Sequence, residues 1–363
     1  MTNEVGLPVD ALDTPALWVE LNSLEQNIQS LAAYFRSAGV NWRPHIKGIK
    51  IPAIAHRAIA AGAIGVTCAK LGEAEVMAYA GISDILIANQ IVGQKKIARL
   101  TSLARHADVK VAVDHPQNVA AIGAAAQAAG AEVGMLIEVN TGMNRAGVQP
   151  GLAVVELAQL ICATPGLRFR GLMAWEGHTL TQREAEAKLK AVRTAVDQLV
   201  HAAEQCRQAG IPVEIVSGGG SGTYQITSSI AGITEIQAGG AIFNDVAYQN
   251  WDVRTEPALF VRATVTSRPA PERIIFDVGF KSLPAWISKP VPLGIDNVND
   301  VRMSAEHGIV ILDQPNDIIQ IGDTFDFMVG YTDATLFLHD RLYGIREGVV
   351  EVVWDIEARG KLR

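Results

Sequence analysis

Over its first two thirds the chain alternates apolar runs of strand length with alanine-rich stretches of helical spacing. The runs are Ile64–Ala69, Asp84–Ala88, Val109–Val113, Gly134–Val139, Phe169–Trp175, Val213–Ser217 and Glu235–Ala238. An eighth begins at Trp42 and leads into a helical pattern from about Pro52, carried by Ile54, Ala55, Ala58, Ile59 and Ala61. Near-continuous apolar strands alternating with helices predict a parallel sheet covered on both faces. Eight such units over roughly 200 residues predict a closed (β/α)8 barrel of the TIM type; a doubly wound open sheet has the same count.

One more strand, Ala16–Leu21, comes earlier. Asn22-Ser23 then caps an amphipathic helix with Leu24, Ile28, Leu31, Ala32 and Phe35 on one face. As a ninth strand it has no place in an eight-stranded barrel, so it is expected to join a second domain. That domain announces itself near residue 255, where Pro257, Pro269, Pro271, Pro284, Pro290 and Pro292 break up helices. Short β-rich runs follow at Leu259–Val265, Arg273–Asp277, Gly308–Leu312, Thr324–Val329 and Gly348–Val353. The expected organisation is a barrel over 23–255 and a mostly antiparallel β domain from 1–22 and 256–363.

Composition narrows the function class. Of 363 residues 49% are hydrophobic and 19% charged, which describes a globular chain with a sizeable core. A net charge of -7 and the lack of any basic block argue against nucleic acid as a partner. Cys68, Cys162 and Cys206 are far apart and match no metal-ligand spacing, as in a reducing compartment. No stretch approaches the ~20 apolar residues of a membrane span. The N-terminus, Met1-Thr2-Asn3-Glu4-Val5, has neither a basic region nor a hydrophobic run. A cytoplasmic enzyme acting on small molecules is the expectation.

The candidate chemistry sits where the predicted strands end. Lys47, in Arg43-Pro44-His45-Ile46-Lys47, follows the first barrel strand, with an imidazole two residues before it and a guanidinium four before. Neighbouring cations and desolvation favour a neutral amine, the form that attacks a carbonyl. Ser217-Gly218-Gly219-Gly220-Ser221-Gly222-Thr223-Tyr224 offers backbone amides and hydroxyls to an anion, without the Walker lysine or the dinucleotide glycine spacing. Gln237-Ala238-Gly239-Gly240-Ala241 ends the next strand with more amides, and the last loops of a barrel commonly hold phosphate. Arg145 follows the strand ending at Val139 and reads as a cofactor contact or a salt bridge. Trp175-Glu176-Gly177-His178 ends another strand with an aromatic and a candidate proton carrier. An amine, a phosphate cradle and an aromatic lining on one barrel mouth describe a pyridoxal 5′-phosphate (PLP) site.

These motifs resemble the fold-type III PLP enzymes, and among them the D-threonine aldolase and D-serine dehydratase group, with alanine racemase more distant. The resemblance runs nearly end to end and includes Asp277-Val278-Gly279-Phe280-Lys281, Ala305-Glu306-His307-Gly308 and Val353-Trp354. It implies that Lys47 carries PLP and that Ser217, Gly219, Gly220, Ser221, Gly222 and Thr223, with Gly239, Gly240 and Ala241, hold its phosphate. Arg145 would lie near the ring. It also implies a head-to-tail homodimer with the active site at the subunit interface. PLP-binding proteins without turnover share the barrel but lack a β domain, and the material after residue 255 argues against that reading.

Two motifs depart from the family. Where its members commonly read Lys-Thr-His-Lys, this chain reads Lys47-Gly48-Ile49-Lys50. Where the family sets a metal-binding His-x-Cys or His-x-Asp, this chain has Tyr331-Thr332-Asp333. Asp333 matches the aldolase carboxylate; with waters it would suit Mg2+ or Mn2+. Tyr331 would otherwise act as an acid–base group. The expected reaction is retro-aldol cleavage of a D-3-hydroxy amino acid to glycine and an aldehyde, with His178 or a metal-held water as the base. Dehydration of the same substrates, and racemisation between Tyr331 and Lys47, are the alternatives.

Overall fold

The computed structural model describes residues 4–363. Residues 1–3 of the N-terminal stretch read above, and of the expected 1–22 segment, lie outside the described residues. Contacts divide the chain into two units. One gathers 1–31, 48–53 and 240–359, the other 32–47, 54–239 and 360–363. The chain passes from one to the other at the Lys47–Gly48 and Gly239–Gly240 peptide bonds, not at the change of texture near 255.

Strand β1 (Ala16–Glu20) belongs to the first unit. The second is the barrel, with β2 (Asn41–Trp42), β3 (Val66–Cys68), β4 (Asp84–Gln90), β5 (Asp108–Val113), β6 (Val133–Glu138), β7 (Leu167–Met173), β8 (Ile215–Gly218) and β9 (Glu235–Ile236). All pair in parallel in the order β2-β9-β8-β7-β6-β5-β4-β3. A parallel bridge between His45 and Thr67 joins the first strand's run to β3, so the sheet closes. Two barrel strands, β2 and β9, are only two residues long, because the chain turns out of the ladder soon after each.

Alternation along each strand fills the interior in layers. Toward the strand starts the filling is charged. Buried Arg43 meets Glu235 at 2.9 Å and Asp84 at 2.6 Å, and buried Lys110 meets Asp84 at 2.6 Å and Asp108 at 2.7 Å. Burial alone would lower the Arg43 pKa, but the two carboxylates hold it above its ordinary value. Above these lie Leu86, Ala112, Leu136 and Met173, an apolar layer. A polar layer follows, in which the Gln90 amide donates to Glu138 at 2.6 Å and to Asp114 at 3.3 Å. Arg43 therefore plugs the barrel. Its charge is matched by carboxylates, which corrects the expectation that it tunes the Lys47 amine.

In the other unit β1 lies between an antiparallel and a parallel neighbour, β10 (Leu259–Ala270) and the strand Arg341–Arg346. The early strand does leave the barrel, as its surplus count predicts. Its sheet is otherwise antiparallel throughout. The helix after β1, Leu21–Ala38, starts in this unit, where Asn27 donates to the carbonyls of Ile242 and Glu256. Among the described residues no helix is long and apolar enough to cross a membrane.

Candidate active site

Lys47, the Ser217–Thr223 loop and the Gln237–Gly239 turn follow β2, β8 and β9, which lie side by side with β9 in the middle. His178 follows β7 and Arg145 follows β6, the next two strands in order. Five adjacent strands therefore deliver the expected barrel residues to one arc of its carboxyl end, the ligand-binding end of such barrels.

Lys47 sits half-buried in a single helical turn, Ile46–Gly48, whose backbone is fixed when its N–H donates to His45 Nδ1 at 3.3 Å. The imidazole thus serves the lysine's backbone. Lys50, the other lysine of the motif, is buried and adopts a left-handed backbone with φ of 55°; its carbonyl accepts from Ala358 N–H.

The glycine loop is held from behind by a residue that sequence reasoning passed over. Buried Glu176 accepts from the Thr223 hydroxyl at 2.7 Å, the Thr227 hydroxyl at 2.6 Å and the Gly219 amide at 3.3 Å. The Gly219 N–H is thus spent on Glu176, so this glycine serves the loop by shape. Its φ of +68° favours glycine, and a Cβ would stand 3.0 Å from the Ile236 side chain. The Thr223 and Tyr224 amides turn back to the Gly220 carbonyl, so the loop is a tight turn opening the short helix Tyr224–Thr227. Ser217 is buried and donates to Glu235, so its hydroxyl supports the loop from below. At the next strand end Gly239 packs on the His45 backbone so closely that any Cβ would overlap it. That contact locks the Gln237–Gly239 turn to the lysine turn.

Trp175 is half-buried with its indole against Gly177 and Gly220. His178 packs on Gly142, and its Nδ1 is buried with no partner among the described residues; the same holds for the Thr141 hydroxyl. Two unpaired buried polar atoms at neighbouring strand ends are what a site built for a polar ligand leaves behind when drawn without it. Arg145 is more than half exposed and stands 3.6 Å from Glu138.

The β unit brings Tyr331 and Asp333 together, with the Tyr331 hydroxyl donating to Asp333 Oδ2 at 2.9 Å. Behind Tyr331 lies the ring of buried Tyr248. Burial, followed by the charge of Asp333, pushes the Tyr331 phenol well above its ordinary range. Tyr248, Trp251 and Trp286 surround the Tyr331 ring with centroids 5.8–6.0 Å away. Tyr248 in turn lies against Gly240, where a Cβ would overlap its ring. Asp245 fixes the backbone of this corner. It caps the helix Val246–Asn250 through the Tyr248 N–H at 3.0 Å and accepts from the Thr332 N–H at 2.5 Å. Burial pushes its carboxyl up to about 7. The cap was readable as an Asp before a short helix; its second bond, to Thr332, left no trace in the sequence.

The donors around Asp333 do not make a metal site. Among the described residues no group of three or more His, Cys, Asp or Glu side chains is arranged to hold an ion. The phenol that stands for the family's imidazole keeps its proton and spends it on the one carboxylate. His339, the next imidazole along the chain, is turned to the Ser282 carbonyl at 2.7 Å. The expected metal role of Asp333 therefore finds no partner ligands in its own unit.

A barrel whose strand ends carry a lysine, a glycine-rich anion loop and unpaired polar atoms, on a chain with a second β unit, defines the PLP enzymes of fold type III. Residues 19–246 match the family model described as alanine racemase, N-terminal domain, and residues 258–345 match a putative serine dehydratase domain. The chain is 37% identical over 359 residues to a D-threonine aldolase of Arthrobacter sp, covering 98% of this chain and 95% of that one. It is 34% identical to a 3-hydroxy-D-aspartate aldolase of Paracoccus denitrificans (strain Pd 1222), covering 98% and 94%. The crystal structure of a D-threonine aldolase from Filomicrobium marinum superposes with a TM-score of 0.97 at 35% identity, covering all of both chains. The chain belongs to the D-threonine aldolase family, PLP-dependent lyases of the alanine racemase fold.

Proposed function

We propose that this enzyme cleaves a D-3-hydroxy amino acid to glycine and an aldehyde. The observation that carries the reading is the arc of five adjacent strand ends, which gathers an amine, an anion loop and an unpaired imidazole. Similarity to aldolases over almost the whole chain points the same way. When bound, PLP supplies an electron sink for the pair released by the broken Cα–Cβ bond.

The chain's own residues bind, orient and move protons. Lys47 makes the covalent link to the cofactor's aldehyde. Gly220, Ser221 and Gly222 of the loop and the turn at Gly239, Gly240 and Ala241 cradle its phosphate, while Ser217, Gly219 and Thr223, tied to Glu235 and Glu176, keep the loop in shape. Arg145, paired with Glu138, lies toward the ring. Two protons must move, one off the 3-hydroxyl and one onto the carbon that becomes Cα of glycine. His178, with Nδ1 unpaired, is the barrel's proton carrier.

Dehydration is the second reading, favoured by the serine dehydratase match over 258–345. Racemisation is weaker, because the Tyr331 hydroxyl is committed to Asp333. Product analysis with D-threonine, D-serine, D-alanine and L-threonine separates the three: aldehyde plus glycine, keto acid plus ammonia, or the enantiomer. Keto acid as the main product would replace this reading with the second.

The protein works as a homodimer in the cytoplasm. Exposed Phe280, Trp286, Ile287, Val291 and Leu293, all within fourteen residues of the β unit, supply an apolar surface for a second copy. A monomeric mass by light scattering at assay concentration would count against the dimer.

A further inference from the structure

Asp333 lies close to the peptide that follows the expected cofactor lysine. It packs on Gly48 so tightly that a Cβ there would overlap Asp333 Oδ1 and come within 3.5 Å of the Thr332 side chain. The family's threonine would push the carboxylate aside, and its following imidazole is here buried Ile49. Both imidazoles that the family carries in these two motifs are thus missing together, at 49 and at 331. In their place stand a glycine that admits the carboxylate and a phenol that donates to it.

We propose that this chain has exchanged the cation for a hydrogen-bonded relay, in which Asp333, held by Tyr331 and behind it Tyr248, takes the substrate's 3-hydroxyl proton without a metal. The inference rests on the retro-aldol reading and deepens it. The O–H bond breaks, its proton goes to Asp333, and the C–O bond becomes the aldehyde's carbonyl as the Cα–Cβ bond breaks. Bound PLP would serve as the sink for the released pair, and His178 would return a proton to Cα to give glycine. Tyr331 and Tyr248 are positioning residues: the first holds one carboxylate oxygen by its hydrogen bond, and the second packs against the ring of the first. Nothing in the relay needs a cation, and a cation on Oδ2 of Asp333 would compete with the phenol's proton.

The test measures metal and activity separately on the holoenzyme. The wild type should bind no Mn2+ by titration calorimetry, and should keep its rate within twofold after dialysis against EDTA. Tyr331→His should gain calorimetric Mn2+ binding, because an imidazole then stands beside the carboxylate. Asp333→Asn should lose ~100-fold or more in kcat, as removal of a proton acceptor does, with the bound cofactor's absorbance intact. Wild-type Mn2+ binding, or activity that EDTA abolishes and Mn2+ restores, overturns the proposal; so does a fully active Asp333→Asn. Should no preparation cleave a D-3-hydroxy amino acid, with or without Mn2+, the retro-aldol reading fails. Wild-type calorimetry still decides the cation's part, whether or not Tyr331→His folds.

Discussion

Glu176 accepts three hydrogen bonds, two from the glycine loop and one from Thr227 in the helix it opens. Glu176→Leu leaves a buried amide and two hydroxyls unpaired, at about 1–3 kcal/mol for each group that finds no substitute. It should weaken PLP affinity tenfold or more, read by titrating the apoenzyme, while Lys47 still forms its adduct at saturating cofactor. Gly48 separates binding from turnover in another way. Gly48→Thr drives a side chain into Asp333, and a displacement of about 1 Å can cost ~100-fold in rate. The borohydride-trapped adduct should remain, mapped by peptide mass to Lys47 and absent in Lys47→Ala; an adduct on Lys50 would move the site. At this scale the sequence was informative about polar residues at strand ends and blind to what braces them. Lys47 and the loop stand out because glycine runs and lone lysines are unusual there. A buried glutamate beside Trp175, or a tyrosine in a five-residue helix, looks like any other.

The strand-end corner at 329–333 is held as an element. Val246 and Ala247 donate to the Val329 and Gly330 carbonyls, and Asp245 takes the Thr332 amide. Burial raises the Asp245 carboxyl from its ordinary value to about 7. The folded state then holds a proton that the unfolded state releases near pH 4. Stability from this group is full below that pH and falls as pH rises toward 7, then levels. Asp245→Asn removes the titration at a constant loss, since one amide N–H faces another. The gap in urea midpoint between the two proteins should therefore narrow from pH 4 to 7; a gap that widens would mean Asp245 ionises readily. Element types were legible here because barrel strands are long apolar runs between helices. Their ends were not. The expected Val213–Ser217 and Glu235–Ala238 begin or finish irregularly, since Val213 and Glu214 come before the ladder starts and Gln237 and Ala238 have left it.

At the scale of the whole chain, the barrel is filled low down by charge. Arg43→Ala leaves Glu235 buried without its partner, which typically costs about 3–5 kcal/mol. A clear drop in melting temperature with an unchanged cofactor spectrum is the expected result, since Arg43 belongs to the plug. From the sequence it looked like part of the lysine's surroundings, four residues away along an extended run; alternation turned it inward. Eight strands and a β unit were countable from hydrophobic periodicity. The assignment of 240–255 was not, because its helix-like texture continues the barrel's while its contacts are with β-unit residues such as Val329 and Gly330. The crossing points have a consequence for inheritance. The chain changes unit on either side of its key turns, directly after Lys47 and directly after Gly239. A chimaera of two relatives spliced at 255 would take Asp245 and Tyr248 from one parent and Tyr331 and Asp333 from the other. Spliced at 239, it keeps that corner of one ancestry. Viable recombinants in this family should cluster their breakpoints at the second place, and the relay should pass down as a block.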